Sequence, residues 1–171
     1  MSVFLIGYMG SGKSTIGSKL SKIMDIPFID LDSMIEKEIG ISIHNIFRDK
    51  GEHFFREQEH SILTNLNFSN KSIIASGGGT PCFFNNHNFM KTIGPTIYLK
   101  VTPNELFKRL QLDKKRPLLF NNKLNLKDFI NKELSDREKY YQMSDYIIES
   151  DDIAVNQVHE LVNKIICQIS I

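Results

Sequence analysis

The chain has 171 residues, is 41% hydrophobic and 24% charged, and carries a formal net charge of +1, which describes one globular domain able to bury its own core and argues against a polyanion-binding surface. Its two cysteines, Cys82 and Cys167, lie far apart and the five histidines do not cluster, so neither a disulfide framework nor a metal-ligand set is expected. No apolar run approaches a membrane span and the N-terminus enters a strand at once, so no leader or anchor is expected and a reducing cytoplasm is the expected compartment.

The run Val3–Ile6 is short, apolar and reads as a buried strand. Directly after it, Gly7-Tyr8-Met9-Gly10-Ser11-Gly12-Lys13-Ser14 fits the nucleotide-phosphate loop G-x-x-x-x-G-K-[ST]. Ile16, Leu20 and Ile23 then recur at helical spacing, which predicts a helix over Lys13–Met24. The residue types suit the chemistry. Glycine lets the backbone curl until several N–H groups point at phosphate oxygens, and the helix adds its positive N-terminal end. Gly10, Ser11 and Gly12 form the cradle. Lys13 reaches the β- and γ-phosphates, and the Ser14 hydroxyl ligates Mg²⁺. Thr15 either contacts the α-phosphate or stands behind it.

Further strands are predicted at Phe28–Asp30, Lys71–Ala75, Thr96–Val101 and Tyr146–Glu149. Between them fall helices over Asp32–Ile39, Ile43–Asp49, Glu52–Leu66, Asn85–Lys91, Pro103–Leu110, Leu126–Tyr141 and Ala154–Gln168. Thr102 and Pro103 suit an N-cap and the first helical position. His53 and His60 share a helix face and read as half-exposed structural residues. Strands alternating with helices give an α/β fold: a parallel sheet covered on both faces, with right-handed crossovers. In such a sheet ligands gather at the carboxyl ends of the strands.

The residues at those ends fit that rule. Asp30 and Asp32 follow the second strand; Asp32 opens a helix, so it is either a cap or a catalytic, hydroxyl-binding carboxylate. Ser76-Gly77-Gly78-Gly79 follows the third, and three glycines in a row make sense where the backbone must come close to a ligand. Arg56 and Arg137 each read alone as solvated surface residues, but an arginine fork also fits a planar carboxylate in bidentate fashion. A small hydroxylated carboxylic acid therefore suits this site as acceptor. The stretch from Leu110 to Leu124 sets Lys114, Lys115, Arg116 and Lys123 against the single acid Asp113 and has no clear periodicity. It is either a basic solvated loop or a lid that closes on a phosphoryl-transfer site. The stretch from Ile43 to Leu66, which carries Arg56, is the second candidate moving part.

Five segments in order give the chain a resemblance to the shikimate kinase family over nearly its whole length: Gly7–Ser14; Asp30-Leu31-Asp32; Gly51–Glu59 with the pattern G-E-x-x-F-R-x-x-E; Gly77-Gly78-Gly79; and Arg116-Pro117-Leu118-Leu119 followed by Arg137-x-x-Tyr140. The first is common to many nucleotide-binding proteins; the D-x-D, G-E-x-x-F-R-x-x-E and R-P-L-L segments together are far more specific. The resemblance implies a three-layer P-loop kinase fold with a central five-stranded parallel sheet, in one domain over 1–171, with a substrate-binding region near 32–66 and a lid near 110–124. It implies transfer of the ATP γ-phosphoryl to the 3-hydroxyl of shikimate, a step towards chorismate and the aromatic amino acids.

The resemblance also implies roles. Asp32 binds the shikimate hydroxyls and takes the proton of the attacking one. Arg56 and Arg137 clamp the substrate carboxylate, and Gly78 and Gly79 make close backbone contacts. Asp30 meets Mg²⁺ through water. Arg116 is the lid arginine beside the transferring phosphoryl, and Arg109 stacks on adenine. Glu59, one helical turn beyond Arg56, orients that guanidinium. Two departures stand out. The third strand ends without the Asp that many phosphate-loop enzymes use for Mg²⁺, as in the resembled family, and the loop Ser150–Ala154 lacks the proline common in that family's adenine loop. Competing readings are a gluconate-type or nucleoside monophosphate kinase, or a non-catalytic nucleotide-binding module. No nucleic acid or membrane partner is expected, and nothing demands more than a monomer.

Overall fold

A computed structural model describes residues 1–112 and 125–169 of the chain. Five strands, β1 (Val3–Ile6), β2 (Phe28–Asp30), β3 (Ile73–Ala75), β4 (Thr96–Lys100) and β5 (Tyr146–Glu149), form one sheet in the order β2-β3-β1-β4-β5. Every neighbouring pair is parallel, with Leu5 opposite Ala75 on one side and Ile97 on the other. Parallel strands need crossover connections, and helices supply them: α1 (Lys13–Met24), α2 (Leu31–Ile39), α3 (Ile43–Asn65), α4 (Asn86–Ile93), α5 (Pro103–Gln111), α6 (Leu126–Tyr141) and α7 (Val155–Ile169).

The period-two alternation of a strand sorts the side chains of β1 onto two cores. Val3 and Leu5 pack with Ile16 and Leu20 of α1 and with Val158, Val162 and Ile165 of α7. Phe4 and Ile6 face the other layer, among Leu31, Ile35, Phe55, Leu63, Leu106, Leu134 and Tyr141. Both faces are thus covered, and the four residues of β1 are all buried. Truncating Phe4, which is fully buried, would cost about 3–5 kcal/mol. The three-layer α/β architecture expected from the alternation is the one observed.

Several boundaries differ from the sequence reading. β3 begins at Ile73 rather than Lys71, β4 ends at Lys100 rather than Val101, and α4 runs on to Ile93. The two helices expected over 43–49 and 52–66 form α3, a helix broken at Gly51, where φ 80° and ψ 172° leave the helical region. A short 3₁₀ turn, Thr80–Cys82, follows the glycine run. Asp32 does not cap α2. Asp30 does, its Oδ1 accepting from the Ser33 N–H at 3.2 Å, which leaves the Asp32 side chain in the first helical turn. Thr102 caps α5 as expected, accepting from the Glu105 N–H, with Pro103 next. Of the histidine pair, His53 is largely exposed while His60 Nδ1 lies 2.6 Å from Asn86 Oδ1.

Candidate active site

The carboxyl ends of β1, β2 and β3 lie side by side, and the candidate residues lie with them. After β1 the chain turns through Gly10 and Gly12 at φ 80° and 98°, conformations a side chain would strain, and enters α1. The Lys13 ammonium is buried inside this loop and donates to the carbonyls of Gly7 at 2.7 Å and Tyr8 at 3.0 Å. Ser11 Oγ is buried with no hydrogen-bond partner among the described residues. The Ser14 hydroxyl donates to Asp30 Oδ2 at 2.5 Å, joining the start of α1 to the end of β2. Two hard oxygen donors in an exposed position suit Mg²⁺, which keeps much of its water. Among the described residues no group of His, Cys, Asp and Glu could hold a metal by itself.

Across from this loop stands the glycine turn after β3. A Cβ on Gly78 would sit 3.3 Å from the Met9 amide nitrogen, so turn and phosphate loop are neighbours. A Cβ on Gly77 would lie 2.6 Å from Glu59 Oε1 and 2.8 Å from Asp32 Oδ1, and one on Gly79 would lie 2.6 Å from Arg56 Cζ. No side chain fits at Gly77 or Gly79 while those groups stay where they are. The glycine run expected to admit a close approach does so first to the chain's own Asp32, Glu59 and Arg56.

Arg56 is buried in α3. Its Nη1 donates to Glu59 Oε2 at 2.8 Å, and its Nε and Nη2 donate to Glu52 Oε1 at 3.2 and 3.1 Å. Its guanidinium carbon sits 4.5 Å from the Phe83 ring centre, a cation–π contact that helps hold the fork in place. Glu59, wholly buried, also accepts from Thr80 Oγ1 at 2.6 Å, so the pairing expected from its i,i+3 spacing is made and is itself anchored. Arg137 of α6 lies over the Tyr8 ring and donates through Nη2 to Glu133. Burial works against its charge, but Tyr141 and Glu133 outweigh that and raise its pKa further. Tyr141, not the Tyr140 of the sequence pattern, is the buried tyrosine here; its hydroxyl donates to the Gly78 carbonyl at 2.6 Å and fixes the turn against α6. Burial raises the pKa of that hydroxyl, so it stays a donor.

Arg109 lies on the other flank. Nη1 donates to the Gly10 carbonyl at 3.1 Å, Nε to Glu105 at 3.0 Å, and Nη2 to the Asp151 carbonyl. Asp151 in turn accepts from Thr102 N–H and Oγ1 at 2.9 and 3.0 Å, and these bonds hold its carboxyl below the ordinary range. Arg109, expected to stack on adenine, thus ties the phosphate loop to the segment after β5. Arg116, Arg116–Leu119 and most of the expected lid fall in 113–124, outside the described residues. The sequence reading missed Glu133, Tyr141 and the bracing of Gly77. The i,i+4 spacing of Glu133 and Arg137 was a visible signal for the first.

A phosphate loop leading into α1, facing a glycine turn flanked by Arg56 and Arg137 over a five-stranded parallel sheet, defines a P-loop kinase. The family model for shikimate kinase matches residues 9–170, and the chain belongs to that family. A shikimate kinase of Flavobacterium psychrophilum is 42% identical over 168 residues, covering 96% of this chain and 98% of the relative. The solved shikimate kinase of Bacteroides thetaiotaomicron has TM-score 0.88 and 36% identity, covering 95% of this chain and 98% of that one. That of Acinetobacter baumannii, solved in complex with shikimate, has TM-score 0.87 and 31% identity, covering 98% and 93%. No helix among the described residues is long and apolar enough to cross a membrane.

Proposed function

We propose that this enzyme transfers the γ-phosphoryl of ATP to the 3-hydroxyl of shikimate, giving shikimate 3-phosphate and ADP, and that it works in the cytoplasm. The observation that carries the reading is a pair of guanidiniums, the buried Arg56 and the half-buried Arg137, at a glycine turn that abuts the phosphate loop. A fork of this kind recognises a carboxylate. The Asp32 carboxylate, beside Gly77, binds the acceptor hydroxyls and takes the proton as the 3-hydroxyl oxygen bonds to the γ-phosphorus. The bond from that phosphorus to the bridging oxygen breaks, and ADP carries away the electron pair.

Lys13 and the loop amides at Gly10, Ser11 and Gly12 hold the phosphates, with Thr15 beside the α-phosphate and Arg109 beside the adenine. Ser14 would hold Mg²⁺ directly and Asp30 through water. When bound, the ion would supply positive charge to the phosphates. Gly78 and Gly79 offer the acceptor their backbone, and Arg116 contributes charge from the lid. Positioning and electrostatics do most of the catalysis in a loose transfer of this kind.

ADP release from Mg·ATP, compared with shikimate, gluconate, AMP and no acceptor, tests the reading. Strong turnover with shikimate alone is expected. Turnover with gluconate or AMP instead would keep the kinase and overturn the acceptor, and ATP binding without acceptor-dependent release would favour a nucleotide-binding module.

A further inference from the structure

The charges around the acceptor pocket do not balance in favour of an anion. Arg56 carries both Glu52 and Glu59, Arg137 carries Glu133, and Asp32 stands at Gly77, so four carboxylates surround two guanidiniums. The groups form one cluster: the Cys82 thiol lies within electrostatic range of Arg137, Arg56, Glu59 and Glu133 together. An acceptor that brings its own carboxylate must displace or outcompete one of these acids.

The three acids paired with arginine differ in how tightly they are held. Glu59 is wholly buried and also accepts from Thr80, so it cannot withdraw. Glu52 is the most exposed of the three, at 55%, but it spans two nitrogens of Arg56, which Glu59 holds as well. Glu133 touches one nitrogen of Arg137, its side chain is 25% exposed, and among the described residues Arg137 is its only hydrogen-bond partner. It lies one turn before Arg137 on the same helix and belongs to none of the sequence motifs above.

We propose that Glu133 is a specificity-determining placeholder: it occupies Arg137 Nη2 until the acceptor's carboxylate replaces it, and so sets the affinity for a carboxylate-bearing acceptor without taking part in phosphoryl transfer. The inference rests on the shikimate reading above. In the free enzyme Glu133 keeps the half-buried guanidinium of Arg137 paired and over the Tyr8 ring. On binding, the pair exchanges one carboxylate for another, and Glu133 swings towards solvent from a position already part-exposed.

Steady-state kinetics of Glu133→Gln test this, because the amide keeps shape and a hydrogen-bond acceptor while removing the competing charge. The KM for shikimate should fall by about 3–10-fold, with kcat and the KM for ATP within about twofold. Glu133→Asp, too short to reach Arg137, should move the shikimate KM the same way, which covers a poorly folding amide variant. With the neutral carboxamide of shikimate as acceptor, the gain should vanish. A raised or unchanged shikimate KM in both variants, or a gain that persists with the carboxamide, would overturn the placeholder role and leave Glu133 as a structural support of Arg137. If the unsubstituted enzyme shows no shikimate-dependent ADP release, the acceptor reading fails and the inference with it; turnover with an unmoved KM removes the inference alone.

Discussion

Ser14 Oγ and Asp30 Oδ2 are 2.5 Å apart, so the first turn of α1 is tied to the end of β2 at the point where the phosphate loop would hold its metal. Asp30 has a second task, capping α2 through Oδ1. One carboxylate therefore orients the hydroxyl proposed to bind the metal and fixes the start of the helix that carries Asp32. Asp30→Asn retains a capping oxygen and removes the charge. The Mg²⁺ concentration for half-maximal activity should rise at least about tenfold, while the thermal midpoint and the KM for shikimate change little. A Mg²⁺ titration of ADP release checks this, and an unchanged requirement would show that Asp30 only caps the helix.

Gly79 separates backbone strain from crowding. Its φ of −96° is open to any residue, so Gly79→Ala should act only through its methyl group, which would fall 2.6 Å from Arg56 Cζ. Arg56 is held by Glu52, Glu59 and the Phe83 ring, and cannot yield without losing some of those contacts. The KM for shikimate should rise about tenfold or more, since a displacement near 1 Å in a positioning group is costly, and the KM for ATP should hold. Arg56→Ala should act on the same parameter, losing a charge-assisted contact of about 1.5–3 kcal/mol. Equal effects on both substrates would contradict the carboxylate clamp.

What could be read from the sequence follows from how local each feature is. The phosphate loop was legible because strand, glycines, lysine and helix are contiguous, and the break at Gly51 because only glycine sits easily at its φ. The choice between Asp30 and Asp32 as cap was not, because either acid fits an N-cap and the boundary moves by one residue. Tyr140 and Tyr141 pose the same difficulty on a helix, where one position is a rotation of about 100°. Which of them reaches Gly78 depends on how α6 packs against the glycine turn, a contact spanning 63 residues. Glu133 was hidden for that reason too: its spacing to Arg137 was plain, but its place beside the acceptor site arises only when α6 packs on the glycine turn after β3.

Cys82 provides a check on the pocket that needs no substrate. Burial pushes its thiol up to about 11, despite the opposing pull of the Arg137 and Arg56 guanidiniums. At pH 8 only about one thiol in a thousand is ionised, and the thiolate is the reactive form. Iodoacetamide at that pH should label the exposed Cys167 first and leave Cys82 nearly untouched. Labelling of Cys82 should climb about tenfold per pH unit until its pKa is reached. The sign for stability is the same: an unfolded thiol ionises from about pH 8.5, the folded one only near 11, so the unfolded state gains on the folded one as pH rises between them. Fast labelling of Cys82 at pH 8, read by peptide mass spectrometry, would mean that its burial is wrong.

Arg109 joins two segments that lie far apart in sequence, through the Gly10 carbonyl in the phosphate loop and the Asp151 carbonyl after β5. Asp151 is itself positioned by Thr102 at the start of α5, so the segment that lacks the expected proline is held by hydrogen bonds instead. Arg109→Ala should loosen both ends and raise the KM for ATP about tenfold, with the shikimate KM within about twofold. Asp151→Asn should have a smaller effect of the same kind, because the amide keeps only part of the Thr102 pairing. Lys in place of Arg109 should not restore the wild-type value, since one ammonium cannot span the geometry that three nitrogens of the guanidinium now satisfy. A full rescue by lysine would show that only the charge matters there, and a matching rise in the shikimate KM would show that Arg109 supports the whole site rather than the nucleotide.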